Sequence, residues 1–89
     1  MSQPVAAVGT PKNISATNAS VSTGPCQLLG FYVNSTTGGT LVLDDNGTAI
    51  SGTITPAIGF HHYPANIGSK LGATIANTLN VTFFFATGN

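Results

Sequence analysis

The residues of this chain able to do chemistry are few and close to a complete list. His61 and His62 adjoin Tyr63, Asp44 adjoins Asp45, and Cys26 stands alone. Adjacent histidines suggest a metal, because imidazole is the commonest protein ligand. In a strand, however, neighbouring side chains point to opposite faces, so His61 and His62 cannot grip one ion. A zinc site needs three or four ligands, which one chain does not offer and a threefold oligomer could, with one histidine per subunit. The paired aspartates suggest acid–base work, which requires two titratable groups whose environments pull their pKa values apart. Here they also diverge, and they precede Asn46-Gly47, where aspartate is an ordinary turn residue. A hydrolytic triad lacks a nucleophile elbow such as Gly-X-Ser-X-Gly. Cys26, following Pro25, fits a small buried hydrophobe. No enzyme activity, cofactor or metal is expected.

The remaining composition points the same way. Only 4% of residues are charged and the net charge is zero. Lys12 and Lys70 cannot neutralise a phosphate backbone, so nucleic-acid binding is not expected. No apolar run approaches the ~20 residues of a membrane helix. The start, Met1 to Asn13, shows no charged region ahead of an apolar core, so no signal peptide is expected. The five Asn-X-Ser/Thr triplets, at Asn13, Asn18, Asn34, Asn46 and Asn80, are then chance products of an Asn-, Ser- and Thr-rich chain. At 89 residues a single domain is expected, with a modest core that association would help to stabilise.

The elements that would position these residues alternate with period two. Residues 1–13 have no period and read as an extended arm ahead of one β-domain, 14–89. Ile14 and Val21 mark a first strand. "CQLLGFYVN" sets Leu29, Phe31 and Val33 on one face and Leu28, Gly30 and Tyr32 on the other. "STTGG" reads as a turn, and "TLVLDD" faces Leu41 and Leu43 inward. "DNG" reads as a hairpin turn. "TAISGTIT" is a strand with Ile50 and Ile54 on one side. "GFHHYP" is a short strand, "KLGATIAN" buries Leu71, Ala73 and Ile75, and Asn77-Thr78 is a tight turn. "TLNVTFFFAT" buries Leu79, Val81, Phe83 and Phe85. This gives an all-β, compact antiparallel sandwich of about six to eight strands, jelly-roll or Greek-key-like. Tyr32 and Phe84 fall on polar faces, where together they would form an exposed patch of the kind that marks contacts.

The layout from "TGPCQLLGFYVN" through "TLVLDDNG", "ISGTITP" and "GFHHYPA" to "LGATIANTLNVTFFF" resembles small β-sandwich virion proteins of tailed bacteriophages. That resemblance implies a capsid decoration, or cement, protein on the outer capsid surface. Its partner would be the major capsid protein, and it would act as a homo-oligomer, a trimer, bridging capsid subunits. The alternative is a head-fibre or tail-tip module for host attachment. The residues expected at partner contacts are Val5 and Val8 in the arm, with Ile14, Tyr32, His61, His62 and Phe84. A surface with so few charges should bind in a way that salt barely affects.

Overall fold

The structure, a computed structural model, describes residues 9–86. Strand β1 spans Thr10–Ile14, β2 Cys26–Asp45, β3 Thr48–Ala49, β4 Gly59–Ile67 and β5 Leu71–Ala86. They form one antiparallel sheet in the order β1-β5-β2-β3, with β4 also paired to β2. The fold is therefore all-β and antiparallel, as the alternation predicts. Five strands are found among the described residues, fewer than expected, because β2 and β5 each absorb two expected strands.

The reason lies in a bend that the two long strands share. β2 and β5 run side by side from Gln27↔Ala86 to Asp45↔Leu71. The two expected turns, Ser35–Gly39 and Asn77–Thr78, fall opposite one another in this ribbon. Gly38 has φ 66° and Asn77 has φ 62°. Thr37 and Gly38 both oppose Thr78, the mark of a bulge. The Asn77 side-chain amide donates to the Gly38 carbonyl at 2.9 Å, tying the bend together. Left-handed backbone in both partners redirects both strands without separating them. The residues that read as turns thus do supply the unusual dihedrals, but inside a continuous ladder.

The Asp45–Gly47 turn forms as expected, with Asn46 at φ 53° and Gly47 at φ 94° closing the β2–β3 hairpin. The expected strand over Thr48–Thr55 is reduced to β3 and one bridge, Leu41↔Ile54. In between, the Ser51 hydroxyl accepts the Leu43 N–H at 2.9 Å, taking a place a ladder carbonyl would fill. Ile50 is left exposed.

The proposed arm boundary also moves. Thr10 to Asn13 are strand residues in β1, paired with β5 from Thr10↔Phe85 to Ile14↔Val81. Ile14 is 6% exposed and belongs to the core. Its expected role at a partner contact is corrected: register with Val81 turns the side chain inward, where its own subunit uses it.

One hydrophobic cluster takes residues from both sides of the bend. It joins Leu28, Phe31 and Val33 to Leu41 and Leu43 on β2, and Leu71 and Ala73 to Leu79, Val81, Phe83 and Phe85 on β5. Phe31 and Phe83 meet at 5.7 Å between ring centroids, in a tilted arrangement favoured by aromatic quadrupoles. Ile75, expected inside, is only half-buried against this cluster. An irregularity between Leu28 and Gly30 shifts the register. Leu28 therefore takes the inward place expected for Leu29. Beside the cluster, the buried Ser22 hydroxyl accepts the Leu71 N–H and donates to the Gly24 carbonyl, both at 2.8 Å. Cys26 is buried next to it, its Sγ 3.5 Å from that hydroxyl.

Candidate functional site

The outer face of β5, β2 and β4 carries several of the apolar residues that the core leaves over, among them the exposed Tyr32 and Phe60. Its cross-strand rows follow from the register. Phe84 opposes Gly30, which opposes His62; Thr82 opposes Tyr32, which opposes Phe60. Gly30 sits in the middle and has no side chain. A Cβ there would stand 2.7 Å from Cζ of Phe60, so the Phe60 ring lies across the glycine. This is the arrangement by which an aromatic ring covers the gap that glycine leaves in a sheet. Phe60 and Phe84 are 6.2 Å apart between ring centroids and inclined at 58°. Together with Leu29, Tyr32 and His62 they line an open cleft of about 360 Å³. Tyr32 is 42% exposed and Phe60 53%.

A polar rim adjoins the cleft. The Asn13 amide donates to Asn80 Oδ1 at 2.8 Å and to Thr82 Oγ1 at 3.0 Å. The Asn34 amide donates to the same two oxygens, each at 3.0 Å. Four side chains from β1, β2 and β5 are thereby held in place around Thr82, which is next to Tyr32 in the ladder. No residue of cleft or rim is Lys, Arg, Asp or Glu. An apolar centre with a hydrogen-bonding border is the general anatomy of a protein–protein contact.

The two histidines part as strand alternation requires. His62 faces the cleft. His61 lies on the other side of β4, stacked on Phe31 at 5.2 Å, with Nε2 2.8 Å from the Ala57 carbonyl. That oxygen can only accept, so Nε2 carries the proton. Among the described residues no group of three or more His, Cys, Asp or Glu could hold a metal ion.

The aspartates are structural. Asp44 Oδ1 accepts the Gly47 N–H at 3.0 Å, fastening the hairpin turn. Asp45 reaches the β4–β5 connection, where its carboxylate accepts the N–H groups of Gly68 and Ser69, both at 3.0 Å, and of Lys70 at 3.3 Å. The Gly68 bond chiefly, opposed by some desolvation and helped by Ser69 and Lys70, holds the Asp45 pKa below its ordinary value. Donors aimed at a carboxylate favour its charged form.

Of the residues expected at a contact, the structure brings Tyr32, His62 and Phe84 into one cleft. His61 and Ile14 are directed elsewhere, while Val5 and Val8 lie outside the described residues. The structure adds Leu29 and Phe60 to the cleft. Phe60 had a signal, its i, i+2 spacing from His62; Leu29 had none, because the slip beside Gly30 leaves no trace in the alternation. No family model, curated protein or solved structure matches this chain.

Proposed function

We propose that this protein is a non-catalytic docking module that binds another protein through the cleft of Leu29, Tyr32, Phe60, His62 and Phe84. The observation carrying this reading is an exposed aromatic group on an uncharged sheet face, bordered by a fixed amide network. Such side chains lose little conformational entropy on binding and bring large apolar area to a contact. Covering the exposed half of each ring contributes on the order of 1 kcal/mol, by the usual area scaling.

The virion setting rests on the sequence resemblance. In that setting the module is a capsid decoration protein, sited on the outer surface of a tailed-phage head and bridging major capsid subunits. The bent sheet then serves as the two layers of a jelly-roll or Greek-key-like sandwich. Residues 1–8, with Val5 and Val8, add a second attachment. No metal, cofactor or nucleic acid takes part. Mixing the purified protein with undecorated capsids is the test. Saturable binding, little changed between low and high salt and weakened at least tenfold by Tyr32→Ser, is expected. Capsids that take up none of the protein would overturn the assignment.

A further inference from the structure

The two outer strands beside the cleft are built differently. β1 carries Pro11 and Lys12. Proline and lysine on an edge strand are devices that keep sheets from joining. β4 has no charged residue, and among the described residues no strand pairs with its outer side. The His61 carbonyl is turned toward β2, against the position a Cβ on Gly30 would take. Backbone groups of successive strand residues point to alternate sides, so Phe60 and His62 direct theirs to the open edge. Pro64 has no N–H to offer and bounds this stretch. What remains, Gly59 to Tyr63, is centred on His61.

We propose that two copies of this chain pair antiparallel through β4, about a twofold axis at His61, and continue the sheet across the pair. Phe60 of one copy then faces His62 of the partner subunit, and the two residues exchange a pair of backbone hydrogen bonds. The symmetry supplies a second such pair. A second copy is the occupant because the edge and its flanking face carry no fixed charge, so like meets like without repulsion. A strand paired with itself also sets aromatic face beside aromatic face, because Phe60 and His62 are on the same side. The pairing uses the strand edge and leaves the cleft face open. It is thus independent of what docks there, and joins two clefts into one wider surface.

Sedimentation equilibrium of the intact protein is the first measurement. A dimer at micromolar concentration is expected; a monomer at the highest soluble concentration, or a trimer, overturns the proposal. His62→Pro removes an outward N–H while sparing the β2 ladder, and is expected to weaken dimerisation at least tenfold with the β-sheet circular dichroism kept. His62→Lys tests the same edge should the proline variant fail to fold. A folded His62 variant of either kind that dimerises normally overturns the proposal. Register is read by oxidising a mixture of Phe60→Cys and His62→Cys proteins, since facing residues in a ladder are within disulfide reach. The mixed disulfide should exceed either homodimeric one, and the reverse ranking overturns the placement of the axis. Capsid binding by Tyr32→Ser reports on the docking reading separately.

Discussion

Gly30→Ala tests how β2, β4 and the aromatic cleft fit together. The added methyl would stand 2.7 Å from Phe60 Cζ and 3.3 Å from the His62 Cα, and would press on the His61 carbonyl. The Phe60 ring is half-exposed and can swing aside, but the carbonyl belongs to the β4 backbone and moves only with the strand. Overpacking of this kind costs about 1–3 kcal/mol. Replacing glycine also restricts the unfolded chain, which offsets about 0.4–1 kcal/mol. The net expectation is a loss of about 1–2 kcal/mol. For a domain of this size each kcal/mol moves Tm by about 4–8 °C, so Tm should fall by roughly 5–15 °C. Thermal and urea unfolding followed by circular dichroism measure it. Adding Phe60→Ala to Gly30→Ala should recover only part of the loss, because the carbonyl contact persists. A Gly30→Ala protein as stable as the parent, or more so, would refute the claim that β4 is held this closely to β2.

Two further expectations concern polar groups. Ser22→Ala removes the acceptor of the buried Leu71 N–H and should cost about 1–3 kcal/mol in urea unfolding, whereas a neutral result would mean the amide finds another partner. The Asp45 pKa is depressed in the folded state, so its contribution is fully present above the ordinary carboxylate value of 3.8 and is lost as pH falls through the depressed value. Asp45→Asn should therefore flatten the fall of the urea midpoint below about pH 4, and parallel pH profiles for the two proteins would remove the clamp from the account.

The sequence made the inward faces legible wherever the ladder is regular. Leu41 and Leu43, and Leu79 through Phe85, alternate as period two demands and are buried as expected. Misreadings cluster where one strand departs from its partner. The register slip beside Gly30 exchanged the roles of Leu28 and Leu29, and the Gly38–Asn77 bend made two long strands look like four short ones. A residue that tolerates positive φ announces a change of direction, but not whether the neighbouring strand changes direction with it. Within the site, Tyr32, Phe84 and the divergence of the histidines were readable from parity alone. The full cleft was not, because it depends on Phe60 lying across a glycine of another strand. Ile14 shows the converse limit: its neighbours are polar and its burial comes from a strand 67 residues further along.

The sheet order has a consequence for the way the chain acquires its structure. β5, the last strand in the described sequence, lies between β1 and β2. Until residues 71–86 are available, β1 lacks its partner in the sheet, and β2 lacks the one that runs along nearly its whole length. A ribosome emitting the chain at ~5–20 residues per second thus exposes Leu28, Phe31, Val33, Leu41 and Leu43 for seconds before their cover arrives. Pairings this distant in sequence also close large loops before they gain contacts, which places refolding in the slow, millisecond-to-second range of small proteins. During that interval the bare flank of β2 is an edge that other nascent copies can capture. Strand β5 acts as a wedge that both joins β1 to β2 and covers the flank through which the nascent chain is open to its neighbours.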